Sequence, residues 1–170
     1  MSLGAAQRWL LCARPPAGIM TEEGAAIGTF RTFDHTADIG LEVRGESLED
    51  LLATAARGVF SIMMDDGPRE VAAEADVAAA PDPSLGDDAA ELLVCWLQEL
   101  LYRFETERLV PLEFDFAEAG PARVRARVGF GRFDPERHAA RLEVKAVTYH
   151  ELAVREEEGG MWSARFILDV

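Results

Sequence analysis

An α+β fold follows from three features of the 170-residue chain. Two stretches with apolar residues at three- and four-residue spacing lie among segments of period-two alternation, without a regular strand–helix repeat. The strand-like segments of the second half follow one another through short polar turns, as antiparallel neighbours do. No internal repeat and no low-complexity linker divides the chain. The expectation is a compact single domain of mostly antiparallel sheets with two main helices.

Residues 1–26 are expected to stand outside that domain as a disordered N-terminal extension, leaving 27–170 as the folded part. The segment is rich in small residues, carries Arg8, Arg14 and Pro15-Pro16, and shows no period. Its apolar run, Trp9-Leu10-Leu11-Cys12-Ala13, is short for an export signal. Translation beginning at Met20 would give the same folded domain.

From there the elements come in turn. Residues 30–33 and 39–44 are strand candidates, and in the second Ile39, Leu41 and Val43 alternate with polar or small residues. Gly45-Glu46 breaks it. Ser47, three residues before Asp50, forms a variant capping box and opens a helix. Leu48, Leu51, Leu52, Ala55, Val59, Phe60 and Met63 then predict one buried face, and Asp65-Asp66-Gly67-Pro68 the stop. Residues 69–90, Ala-rich and acidic with Pro81 and Pro83, are expected to hold one strand and a long loop.

A second helix is expected over 87–105, with Leu92, Leu93, Trp96, Leu97, Leu100, Leu101 and Phe104 as a wide apolar stripe. Asp87 and Asp88 suit its positive N-terminal end. Strands are expected over 112–117, 124–130, 141–147, 152–156 and 162–170. A turn at 133–137 and a hairpin turn at Glu157-Glu158-Gly159-Gly160 link them.

Charge narrows the function. With 31 Asp+Glu against 17 Lys+Arg, the net charge of −14 repels phosphate backbones over most of the surface. Stable nucleic-acid binding by the chain alone is therefore not expected, whereas docking on a basic partner or holding cations is. No apolar run approaches the roughly 18–20 residues that cross a bilayer. Cys12 and Cys95 make neither a disulfide framework nor a zinc site, and Cys95 reads as a small core residue. A soluble protein in a reducing, cytoplasmic setting fits.

No Gly-rich phosphate loop and no nucleophile signature is present. The dense polar cluster is Asp34-His35-Thr36-Ala37-Asp38, just before a strand. Its carboxylates and imidazole suit a metal or catalytic role, while Asp34 and Thr36 also suit local capping and His35 simple packing. At the C-terminus, Asp169 and the Val170 carboxylate crowd acidic oxygens that would repel without a cation or arginine. Otherwise Asp169 faces water on an edge strand. Lys145, the only lysine, could meet a phosphate or this acidic cluster, or simply be solvated. Tyr149 and His150 read as packing residues. Arg123, Arg125 and Arg127 share one strand face, better read as a solvated surface with salt bridges than as an RNA contact.

Together these residues resemble the archease family. The resemblance rests on Asp-His-Thr-Ala-Asp-Ile-Gly (34–40) and Leu-Leu-x-x-Trp-Leu-x-Glu-Leu-Leu-Tyr-x-Phe within the second helix. It rests equally on Phe-Asp-Pro-Glu-Arg-His (133–138), Glu-Val-Lys-Ala-Val-Thr-Tyr-His (143–150) and the closing Ile-Leu-Asp-Val. It spans about residues 28–170; the segment before Gly28, residues 69–90 and Gln98, where an Asn is usual, depart from the pattern.

The resemblance implies a non-catalytic protein cofactor of the GTP-dependent RNA-splicing ligase, promoting its guanylylation and multiple turnover in tRNA splicing and RNA repair. It further implies a divalent-metal site, usually described with calcium, which carries over to Asp38, Asp169 and Val170. Asp34, His35 and Lys145 are candidate accessory residues. The main rival is a stand-alone metal-dependent phosphohydrolase using Asp34, His35 and Asp38. An RNA chaperone acting through the arginine face is a further one, disfavoured by the net charge.

Overall fold

The computed structural model describes residues 28–35, 38–85 and 88–170, with the backbone alone at Asp34, His35 and Leu85. The expected N-terminal extension, with Cys12 and Met20, lies outside the described residues, as do Thr36 and Ala37. The first half carries strands β1 (Thr29–His35) and β2 (Asp38–Gly45), helix α1 (Leu48–Met63), and strands β3 (Met64–Asp66) and β4 (Ala73–Ala79). A single 3-10 turn (Pro83–Leu85) leads to helix α2 (Ala89–Glu107). The second half is β5 (Leu109–Gly120), β6 (Arg123–Arg132), β7 (Ala139–Ala140), β8 (Ala146–Glu156) and β9 (Trp162–Asp169).

All pairings are antiparallel. One sheet has the order β1-β2-β9-β8, a second the order β4-β6-β5, and β3 pairs with β7. Helix α1 packs on β2 and on β5, and α2 packs on β8 and on β4 and β5, so the helices form a middle layer between the two larger sheets. Among the described residues, no helix is long and apolar enough to cross a membrane.

The helices start where their caps dictate. Ser47 Oγ accepts from the Asp50 N–H (3.2 Å), and Asp50 in turn accepts from Glu46 N–H (3.0 Å) and Gly28 N–H (3.2 Å), tying the start of β1 to α1. Asp88 caps α2 by accepting from Ala90 N–H at 2.8 Å. Because α1 is sandwiched, burial runs around most of its circumference, from Leu51 and Leu52 to Ala53, Thr54 and Ile62, rather than along one face. Trp96, fully buried on α2, donates its indole N–H to the Leu52 carbonyl of α1 at 3.2 Å. Its ring packs on Phe114 and Phe116 of β5, at centroid separations of 6.1 and 5.8 Å.

Helix α1 runs back over the sheet from the Gly45 end. Gly45 packs on the backbone of Leu51, and Gly58, two turns on, packs on the Leu41 side chain. The C-terminal end of α1 therefore lies toward the end of β2 that carries Asp38.

Two expectations need correction. Residues 141–147 alternate as a strand would, yet 141–145 is irregular: the N–H groups of Arg141 and Leu142 donate to Met63 O at the end of α1 (2.8 and 3.3 Å). The expected strand over 152–156 is the second half of β8, which begins at Ala146 and is broken by a wide bulge. Thr148 faces Ile167 and Ala153 faces Arg165, so 149–152 have only Phe166 opposite them. Glu151 in that bulge adopts the left-handed conformation, φ 54°. The hairpin turn between β8 and β9 is as expected, with Gly159 and Gly160 at φ 87° and 82°.

Candidate functional site

The strand period sorts β2 and β9 into an inner and an outer face. Leu41, Val43, Ala164, Phe166 and Leu168 point into the core. The outer face then receives Asp38, Gly40 and Glu42 from β2, and Arg165, Ile167 and Asp169 from β9. Register lines these residues into rows across the sheet. One row is Arg31–Glu42–Arg165–Ala153 and the next is Phe33–Gly40–Ile167–Thr148. In the last row His35 is opposite Asp38, Asp169 is opposite Ala146, and the register that pairs Ile39 with Leu168 carries Asp38 to a position opposite Asp169. Sequence-distant carboxylates thus meet at one corner. The side chains of Asp34 and His35 lie outside the described residues, so only the backbone register places them here.

Two carboxylates on directly opposed positions of an antiparallel pair destabilise it unless a cation intervenes. Lys145 lies at the same end of the sheet. Its backbone N–H donates to Asp169 O at 2.9 Å, and its ammonium lies 3.2 Å from the Val170 main-chain oxygen. The lysine singled out by its uniqueness is therefore at the corner with Asp38, Asp169 and Val170. Carboxylate and main-chain oxygens are the hard donors that suit a divalent ion such as calcium, and the Lys145 ammonium already occupies one of them, the Val170 oxygen. Among the described residues, no three His, Cys, Asp or Glu side chains converge in the manner of a complete metal cage. Side-chain donors from Asp38 and Asp169 would need main-chain oxygen or water to fill such a shell.

The neighbouring rows stiffen this corner. In the middle row the Phe33 ring lies across Gly40, where any Cβ would overlap it. The Arg165 guanidinium covers that ring at 3.9 Å from its centroid. Glu42 receives both Arg31 and Arg165, and Arg165 also holds Glu151 at 3.0 Å, so one ladder of charges crosses the sheet. Neither Phe33 nor the Glu42–Arg165 network was singled out from sequence, although Arg31, Glu42 and Arg165 alternate on strand-like segments. In the same middle row, Thr148 Oγ1 is buried and, among the described residues, has no hydrogen-bond partner.

Other sequence candidates resolve differently. Tyr149 is not a packing residue: it is 60% exposed and donates its hydroxyl to Glu91 Oε1 at 2.8 Å. That hydrogen bond, with a smaller contribution from burial and the Glu91 charge, raises the phenol above its usual range. Cys95 is half-buried on α2, and burial, with the Glu91 charge second, pushes its thiol upward, away from thiolate reactivity. The arginines of β6 are exposed, but Arg123 pairs with Glu118 (2.8 Å) and Arg127 with Glu74 (2.8 Å) and Asp76 (3.6 Å). That face is a salt-bridged surface.

Comparison with known proteins agrees on one family. Residues 30–170 match the model described as the Archease protein family. The chain is 32% identical to protein archease of Sulfolobus acidocaldarius over 142 residues, 83% of this chain and 98% of that protein. It is 35% identical to protein archease of Methanopyrus kandleri over 140 residues, 81% of this chain and 96% of that protein. The solution structure of Methanobacterium thermoautotrophicum protein 1598 superposes with a TM-score of 0.64 at 32% identity, covering 83% of this chain and 98% of that one.

Proposed function

The chain belongs to the archease family, and from that membership we propose that it is an accessory protein rather than an enzyme. Its partner is the GTP-dependent RNA-splicing ligase that joins 2′,3′-cyclic-phosphate and 5′-hydroxyl RNA ends. The protein promotes guanylylation of that ligase and its multiple turnover, in cytoplasmic tRNA splicing and RNA repair. The observation that supports this reading is the opposition of Asp38 and Asp169 beside the Val170 oxygen, an acidic corner on a sheet end stiffened by the Glu42–Arg165 ladder.

Asp38, Asp169 and Val170 are the residues that hold a divalent ion, with calcium the family's usual choice. A bound divalent ion supplies positive charge for phosphate oxygens at the ligase's active-site mouth. The protein's own part is positional. The β2–β9 ladder fixes the two carboxylates, Lys145 neutralises the Val170 oxygen, and the acidic body of the chain is drawn to a basic, nucleic-acid-handling surface. Asp34 and His35 are accessory candidates at the same end of the sheet.

The test is ligation of cyclic-phosphate RNA by the cognate ligase at limiting concentration. Multiple turnover is expected with the protein and a single round without it, and a folded Asp38→Ala variant should lose the stimulation. Unchanged ligase turnover with and without the protein overturns the reading. Phosphoester hydrolysis by the isolated protein with a divalent ion would favour the phosphohydrolase alternative instead.

A further inference from the structure

The 133–138 segment, one of the motifs behind the family resemblance, takes no part in the acidic corner. It is a tightly closed loop. Asp134 O accepts from the N–H groups of Arg137 (3.0 Å) and His138 (2.8 Å), and Asp134 Oδ1 accepts from Glu136 N–H (2.9 Å). His138 Nδ1 accepts the Asp134 N–H at 2.9 Å, which leaves Nε2 as the ring's outward donor in the neutral form. Phe133, beneath it at 5.5 Å between ring centroids, anchors the loop to Phe104 of α2 at 5.6 Å.

This loop forms one wall of an open cleft of about 460 Å³ whose other wall is the turn after β3. Arg69, Arg132, Arg137 and His138 line it, together with Asp66 and Glu70. Arg31, Arg103, Arg123, Arg127, Arg141 and Arg165 each meet a carboxylate directly. Two of the three here have none among the described residues: Arg137 is unpaired, and Arg132 makes one bond, to the Glu107 carbonyl at 3.3 Å. Arg69 meets Asp66 at 3.3 Å, an exposed and readily exchanged pair. The cleft thus carries three guanidinium groups and an imidazole N–H against two carboxylates, a locally positive hollow on a protein of net charge −14.

We propose that this cleft is an anion site that takes a phosphate group. Guanidinium forks match the tetrahedral oxyanion, the ordered loop presets His138 and Arg137, and the volume admits a phosphate with an attached nucleoside. The cleft is built partly from the turn that follows α1 and β3, beyond Met63, the end of α1 directed toward the acidic corner. The inference stands without the ligase reading, because it concerns binding by the isolated protein.

The experiment is a chemical-shift titration of the full-length protein in chelator, which silences any cation-mediated contact at Asp38. The probes are inorganic phosphate, a nucleoside monophosphate and a short single-stranded RNA with a terminal phosphate. Saturable shifts confined to residues 66–72 and 132–138 are expected. The Arg132→Gln/Arg137→Gln double variant should weaken binding by about tenfold or more while its spectrum elsewhere is unchanged. Nucleotide and RNA binding alike indicates a small phosphate ligand, and affinity rising with RNA length indicates a polynucleotide end; both support the site. Absence of saturable shifts with all three probes, or equal binding by the folded double variant, overturns it.

Discussion

The ammonium of Lys145 sits 3.2 Å from the Val170 main-chain oxygen while its own N–H is bonded to Asp169 O, so one residue clamps the end of β9 by both backbone and side chain. The chain end beside the Asp38–Asp169 opposition therefore carries an ammonium on its Val170 oxygen. A divalent ion held through the Val170 oxygen would have to share that oxygen with it or displace it. This relationship makes the acidic corner measurable apart from any ligase.

Removing one of the opposed carboxylates is expected to have opposite effects with and without metal. In chelator, Asp169→Asn should raise Tm by about 2 °C, because it relieves like-charge repulsion across the ladder. With calcium, the wild type should gain about 2.7 kcal/mol at a hundredfold excess over Kd, and the variant little of it. Differential scanning calorimetry in the two buffers reads both. Equal calcium stabilisation of wild type and variant would remove Asp169 from the site.

Lys145→Met should behave in the reverse sense. Loss of the ammonium leaves the Val170 oxygen uncompensated, so Tm in chelator should fall by about 2 °C. Calcium should bind more tightly, since it no longer competes with a fixed charge. Isothermal titration with calcium provides the comparison.

The indole of Trp96 ties the two helices together through Leu52 O. Trp96→Phe should cost about 1–3 kcal/mol, because it removes the hydrogen bond between the helices and leaves a gap against Phe116. Urea unfolding should show the loss as a lower midpoint with an unchanged m-value.

Tyr149 should report its bond to Glu91 through pH. Its folded phenol titrates above the ordinary tyrosine value of about 10, so the hydrogen bond stabilises the fold fully below that pH. The contribution is lost as pH rises through the elevated folded value. Spectrophotometric titration should show the Tyr149 phenol ionising above the ordinary tyrosine range, and Glu91→Gln should bring it back down.

How much of this was legible in the sequence depends on distance along the chain. The capping pair Ser47 and Asp50, the stripe from Leu92 to Phe104 and the Gly159-Gly160 turn are local patterns, and the corresponding elements lie where those patterns place them. Strands β3 and β7 have three and two residues, too short to show a period. Leu142 and Val144 keep a strand's alternation but are diverted when Arg141 and Leu142 bond to the end of α1. The meeting of Asp38 and Asp169 depends on β9 lying beside β2, which no local pattern dictates. Similarly, Arg69 and Arg137 share a cleft only because the turn after β3 comes to rest beside the 133–138 loop.

The position of β9 between β2 and β8 sets a timetable for synthesis. The β1–β2 hairpin leaves the ribosome early, with the edge of β2 and its core-facing Leu41 and Val43 waiting for a partner that is translated last of all the strands. Until β9 arrives, that edge is open to pairing with other chains, and the half of the acidic corner contributed by Asp38 has nothing to face. Nascent chains paused before Trp162 should accordingly be prone to aggregation and unable to respond to calcium, with both properties reversing when the last hairpin closes.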